Sequence, residues 1–194
     1  MLVHVFAIAA AIVPGAALAH HVMDGAMPDT LWQGFASGVG HPIIGLDHLA
    51  FVAGMALLAL LTRAPRTMPL AFVAMTLAGT GLHLAAVSLP GTELVSAASV
   101  LLVGLLAIAR VALPVLAAVA LFGAAGLFHG YAYGESIVGA ETSPLVGYLL
   151  GFAVVQTTIA WGLQILAERS LRMADWLYVG GGIAAGVGAV FLAA

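Results

Sequence analysis

Long apolar runs that almost no charged residue interrupts dominate this chain. Of its 194 residues, 63% are hydrophobic and 7% are charged, whereas soluble domains carry about 25% charged residues. The mean hydropathy is +1.18. A run of about 20 apolar residues is long enough to cross the hydrocarbon core of a bilayer as a helix. The sequence therefore predicts an all-α, polytopic membrane protein.

The amino-terminal segment is typical of a secretory signal peptide. Residues 2–19 are apolar and end in the small-x-small pattern Ala17-Leu18-Ala19, which favours cleavage before His20. We therefore predict a signal peptide over residues 1–19. The alternative is an uncleaved first helix, because no lysine or arginine precedes the apolar run.

Six further apolar runs follow the leader, and each is predicted to be one transmembrane helix. They cover residues 42–62, 69–89, 93–112, 114–131, 145–167 and 174–193. Together they form one six-helix membrane domain over residues 20–194. Small-x-x-x-small spacings such as Gly182 and Gly186 let helices approach closely, either within the chain or in a homo-oligomer.

The arginines orient this arrangement. All of them fall at the ends of alternate predicted spans or in the connections that follow: Arg63, Arg66, Arg110, Arg169 and Arg172. Basic residues collect in cytoplasmic loops. We therefore expect every arginine to face the cytoplasm, with the processed amino terminus and the carboxyl terminus both on the non-cytoplasmic side.

Composition excludes several function classes. With no cysteine, the chain has neither disulfides nor thiolate metal sites, so a metal would be held by N and O ligands, with methionine sulfur as a further candidate donor. The formal net charge of -3 and the lack of a basic cluster argue against a nucleic-acid partner. The chain also has no nucleotide-binding P-loop pattern.

The first chemical motif is His41-x5-Asp47-His48. In one continuous helix Asp47 would point about 120° away from the face shared by the two histidines, but Pro42 and Gly45 permit a kink that could bring all three together. Ionisable groups are costly inside a bilayer and usually functional there. A lone histidine is more often a packing residue, whereas three ionisable groups in eight residues favour a metal site, with Asp47 as a ligand or as a residue that orients a ligand.

The second motif is Phe128-His129-Gly130-Tyr131-Ala132-Tyr133-Gly134-Glu135. Its glycines allow the backbone to bend so that His129 and Glu135 converge. An interfacial aromatic belt would explain Tyr131 and Tyr133, yet it would leave His129 and Glu135 unexplained. By topology both motifs lie in the outward half of the membrane.

Other side chains are weaker candidates. His83 would also lie in the outward half of the membrane, where it could form an interhelical hydrogen bond as readily as bind a metal. After cleavage, the α-amine with His20 and His21, and Met23 beyond them, could chelate a divalent metal. Gln156 is a candidate path-lining residue.

The two motifs, in order along the chain, resemble the signature motifs of the HupE/UreJ family, which are bacterial nickel or cobalt permeases associated with hydrogenase and urease genes. The resemblance covers the whole mature chain. It implies a permease rather than an enzyme, with no prosthetic group and with Ni(II), or Co(II), as the transported substrate. It also implies a location in the bacterial inner membrane, with both termini of the processed chain on the periplasmic side. The metal residues implied are His41, Asp47, His48, His129 and Glu135.

Two alternatives stay open at this point. One is an intramembrane zinc-dependent hydrolase that uses the same histidines, with Asp47 or Glu135 as general base. The other is a metal sensor or chaperone for a partner permease. If the chain is a permease, uptake should weaken as histidines protonate near pH 6.

Overall fold

A computed structural model describes residues 27–62 and 65–194, and all of the regular elements in these two ranges are helices. The predicted signal peptide, residues 1–19, lies outside the described residues. We number the helices in chain order: α1 Leu31–Ile44, α2 Leu46–Leu61, α3 Pro69–Leu84, α4 Thr92–Ile108, α5 Val115–Glu135, α6 Thr142–Arg169 and α7 Met173–Ala193.

The start of α1 differs from the sequence prediction, which began the first helix at residue 42. Helix α1 begins at Leu31 because Thr30 and Gln33 form a capping box. The Thr30 side chain accepts a hydrogen bond from the Gln33 N–H, and the Gln33 side chain accepts one from the Thr30 N–H. The prediction relied on apolar runs, the first of which starts at residue 42, and it missed the capping signature.

The predicted break inside the first motif is confirmed. Helix α1 ends at Ile44, α2 begins at Leu46, and the two helices meet at 75°. Gly45 joins them in an extended conformation. His41 therefore lies near the end of one helix, while Asp47 and His48 lie in the first turn of the next.

Three closely packed helix pairs surround α2. They are α1 with α6, α3 with α5, and α4 with α7. A Cβ at Gly38, Gly130 or Gly104 would collide with the main chain of the partner helix, so the absence of a side chain is what allows each close approach. Helix α2 contacts all three pairs, and most of its residues are buried.

Helix length limits which elements can cross a membrane unaided. Helices α5, α6 and α7 are long and apolar enough to do so, and the bent α1–α2 pair would count as a fourth span. Helices α3 and α4 have only 16 and 17 residues, against the roughly 20 needed for a full crossing. The six-span arrangement therefore remains a prediction.

Candidate metal site

Side chains from the two motifs meet at the centre of the bundle. The Nδ1 atoms of His48 and His129 are 2.8 Å apart, and an Asp47 carboxylate oxygen lies 3.5 Å from His48 Nδ1. Each of the three residues offers one potential ligand atom, and these three atoms all lie within 4.8 Å of one another. All three residues are buried. Among the described residues, this is the group that could hold a metal ion.

The break at Gly45 explains how Asp47 and His48 come to lie here. Asp47 occupies the first turn of α2, where the partial positive charge of a helix amino terminus stabilises a carboxylate. A Cβ at Gly45 would lie 2.6 Å from the His48 ring, so this ring packs directly on the break. A helix that continued from α1 would carry both side chains elsewhere.

Ser99 in α4 sets the tautomer of His129. The Ser99 hydroxyl donates its one proton to the Ser96 carbonyl at 2.7 Å, so it can only accept from His129 Nε2–H, at 3.0 Å. His129 Nδ1 then carries a lone pair and faces His48. A second hydrogen bond that fixes an imidazole in this way is common behind metal-binding histidines.

Tyr148 in α6 does the same for His41. Its hydroxyl donates to the Tyr133 carbonyl at 2.9 Å and therefore accepts from His41 Nδ1–H at 3.1 Å. This hydrogen bond leaves the lone pair of His41 on Nε2. The His41 ring lies 5.4 Å from the His48 ring, centroid to centroid, so His41 adjoins the three-residue group.

The donor set fits a divalent cation. Metal–nitrogen bonds of about 2.0–2.1 Å would hold two donors at a right angle about 2.9 Å apart, close to the separation of the two Nδ1 atoms. Binding would require the proton between them to leave. Oδ1 of Asp47 is buried and has no hydrogen-bond partner among the described residues, so a carboxylate oxygen is available as a third ligand.

Buried aromatic rings pack against one side of the His129 ring. Phe51 and Phe72 stack with centroids 4.9 Å apart, and the Phe51 ring lies 4.8 Å from the His129 ring. Both phenylalanines are fully buried. Excluding water in this way strengthens electrostatic interactions at the site.

Two predicted residues lie apart from the group. Glu135 ends α5 and is exposed, so the bend expected to bring it to His129 is not found. His83 stacks on Tyr131 with ring centroids 4.5 Å apart. His20, His21 and Met23 lie outside the described residues.

Other polar side chains at the site were missed by sequence reasoning. Ser99 and Tyr148 were not among the predicted residues, although Ser96 and Ser99 share one face of a helix that is otherwise apolar after its first turn. Tyr133 was explained as part of an interfacial belt, which is wrong: it is fully buried, and its ring lies 4.8 Å from His41 and 4.5 Å from His48. Gln156, the candidate path-lining residue, is fully buried beside Thr76.

An all-helical bundle with membrane-spanning helices and a buried imidazole–carboxylate group defines a membrane protein with a candidate metal site. A sequence model of the HupE / UreJ protein family matches residues 8–192, and the chain belongs to this family, which is related to nickel and cobalt uptake for hydrogenase and urease.

A relative and the solved structures complete the comparison. Protein HupE of Rhizobium leguminosarum bv. viciae is 35% identical over 122 residues, which cover 62% of this chain and 63% of that protein. The aligned segment thus spans less than two thirds of the relative. No solved structure matches the chain.

Proposed function

We propose that this protein is a secondary transporter that takes up Ni(II), with Co(II) as a second substrate, across the bacterial inner membrane. The metal passes through a site built by His41, Asp47, His48 and His129. The buried meeting of Asp47 with the two facing imidazoles is the observation that carries the proposal. The family assignment supports the same substrates.

The chemistry of the donors suits this substrate. Neutral imidazoles are borderline donors that favour Ni(II) and Co(II) over Mg(II) and Ca(II). The Asp47 carboxylate supplies negative charge that offsets the cost of dehydrating a divalent cation. The two Nδ1 atoms are 2.8 Å apart, which is close to the separation of two donors at a right angle around an ion. Right angles between donors occur in octahedral and square geometries, which Ni(II) adopts more readily than Zn(II) does.

The proposed route runs from the end of the bundle that carries Glu135 to the end that carries the arginines. The exposed Glu135 carboxylate attracts the cation at the entrance, after a first capture by His20, His21 and Met23 of the processed amino terminus. With the arginine end in the cytoplasm, an inside-negative potential favours entry by about 4.6 kcal/mol per 100 mV for a divalent ion. Uptake therefore needs no nucleotide hydrolysis.

The test is radiolabelled Ni(II) uptake, with Co(II) and Zn(II) as competitors, in cells that lack other nickel importers. The wild-type chain is compared with His48→Ala at matched membrane levels. His83→Ala is the matched control, because it removes a histidine that stacks on Tyr131 outside the group. We expect uptake by the wild type and the control and none by His48→Ala.

The opposite outcome would redirect the assignment. If the wild-type chain gave no uptake above an empty vector while the purified protein bound one metal per chain, the transporter would be rejected. Hydrolytic turnover by that metal-loaded protein would then support the enzyme alternative. Metal-dependent association with a separate permease would support the sensor or chaperone.

A further inference from the structure

Two buried glutamines on α6 extend the polar interior from the metal site towards the arginine end. Gln156 is fully buried and Gln164 is 3% exposed. They lie eight residues apart, or about 12 Å along the helix at about 1.5 Å per residue. Each has a side-chain atom with no hydrogen-bond partner among the described residues. Buried amides are normally hydrogen-bonded, so two such atoms on one helix require an explanation.

Gln156 adjoins the metal site through α3. Its amide oxygen lies 3.5 Å from the Thr76 hydroxyl. The main chain of Thr76 packs against Gly130, where a Cβ would collide with it, and Gly130 follows His129 in the chain. The amide of Gln156 therefore lies beside Thr76, and Thr76 in turn contacts the segment of α5 that carries the His129 imidazole.

The hydrogen bonds of Thr76 decide which end of the Gln156 amide is available. The Thr76 hydroxyl donates its one proton to the Val73 carbonyl at 2.7 Å, so towards Gln156 it can only accept. The amide nitrogen must then face Thr76, and the two ends of the amide are exchanged relative to their placement, a choice that the hydrogen-bond network decides. The carbonyl oxygen then occupies the buried position at which the amide nitrogen, as placed, has no hydrogen-bond partner among the described residues.

Gln164 presents the same kind of atom further along. Its Oε1 is the buried atom that lacks a partner within residues 27–62 and 65–194. Ala160, midway between the glutamines, is small and fully buried. Four residues beyond Gln164, Glu168 forms an ion pair with Arg66 at the arginine end.

We propose that the carbonyl oxygens of Gln156 and Gln164 form a second, weaker cation-binding path that receives the metal from the histidine site and leads it to the arginine end. This inference rests on the proposed transport function. Neutral carbonyl oxygens hold a partly hydrated Ni(II) or Co(II) less tightly than imidazole and carboxylate do. Weaker sites after a tight one let an ion leave, as conduction requires.

The test separates binding from passage. Full-length Gln156→Leu and Gln164→Leu proteins are purified, and Ni(II) binding is measured by equilibrium dialysis. The same proteins are then placed in liposomes that contain a metal-sensitive dye, and Ni(II) entry is timed. We expect binding within about twofold of wild type and entry slowed at least about tenfold. Thr158→Val is the matched control, because Thr158 is exposed on the same helix and bonds only its own helix in the described structure.

The outcomes are distinguishable. Wild-type entry rates in both leucine variants, with binding intact, would overturn the path while leaving the transporter standing. Absence of entry with the wild-type protein would overturn the transport function itself. If a leucine variant loses binding, Gln156→Asn and Gln164→Asn replace it. These variants keep the carboxamide but draw its oxygen back by one methylene, so entry at the wild-type rate would again reject the path.

Discussion

Two histidines of this bundle, His129 and His83, lie on the neighbouring helices α5 and α3 and have different surroundings. His129 is fully buried and faces a second imidazole, with a carboxylate close by. His83 stacks on an aromatic ring, packs against Gly134 and has no carboxylate grouped with it among the described residues. In the sequence, both histidines are ionisable residues within largely apolar segments.

The difference shows that an imidazole in an apolar helix does not by itself indicate a ligand. What distinguishes His129 is a second helix that starts beside it, because the break at Gly45 brings the first turn of α2 against its ring. A hydroxyl behind His129 also fixes which nitrogen faces the site. For His83, by contrast, the ring atom Nδ1 is buried without a hydrogen-bond partner within residues 27–62 and 65–194.

The largest expected effect is loss of metal binding on removal of a facing imidazole. His48→Ala should lower Ni(II) affinity by more than about 100-fold, above the range usual for residues that only orient a ligand. His83→Ala should change affinity by less than about twofold. Isothermal titration of the purified proteins measures both. Equal losses in the two variants would erase the distinction drawn between these histidines.

Ser99 should have the next largest effect. Ser99→Ala removes the acceptor that selects the His129 tautomer, and affinity should fall about 10-fold or more, as for other partners behind metal ligands. Ser99→Thr keeps the hydroxyl and should restore most of it. The visible absorption spectrum of bound Co(II) gives an independent measurement, since a change of the ligating nitrogen alters it. An unchanged spectrum and affinity in Ser99→Ala would show that the tautomer is fixed in another way.

Tyr148→Phe should have a smaller effect. The substitution keeps the ring but removes the acceptor of His41 Nδ1–H, and His41 lies beside the three-residue group rather than within it. We expect a loss of affinity of about three- to tenfold in the same titration. Phe152→Leu, which alters the same aromatic cluster without touching a hydrogen bond of His41, serves as the packing control and should lose less.

Glu135→Gln should affect uptake least, and in a different way. Because Glu135 is exposed and outside the group, its charge can raise the local cation concentration without binding the ion at the site. Uptake at low metal concentration should fall a few-fold at low ionic strength, and the difference should shrink as salt is added. Affinity of the purified protein should stay the same. A large loss of affinity would instead make Glu135 a ligand.

The meeting of Asp47, His48 and His129 could be predicted from the sequence, whereas metal binding by these residues stays a prediction. Ionisable residues in an apolar run are conspicuous, and Pro42 and Gly45 marked the break that separates His41 from His48. The ends of most predicted helices also lie close to those observed, because proline and glycine interrupt the apolar runs. Helix α1 was the exception, since its capping box precedes the apolar run from which the first helix was predicted.

The supporting residues could not be found in the same way. Serine and tyrosine are common in apolar helices, where a hydroxyl can bond its own main chain, so nothing in the sequence distinguishes Ser99 or Tyr148. Their importance depends on which helices pack together. The reach of Glu135 was overestimated for a related reason, because α5 continues as a helix to that residue and carries its side chain past the site.

The pairing of helices determines which parts of the bundle a bound metal would join. His129 belongs to the α3–α5 pair and His41 to the α1–α6 pair, while Asp47 and His48 stand on α2 between them. Glycine contacts bring the two helices of each pair close together, whereas the single residue Gly45 joins α1 to α2. A cation held by Asp47, His48 and His129 would therefore join α2 to the α3–α5 pair. When the cation left the site, this link between the helices would be lost.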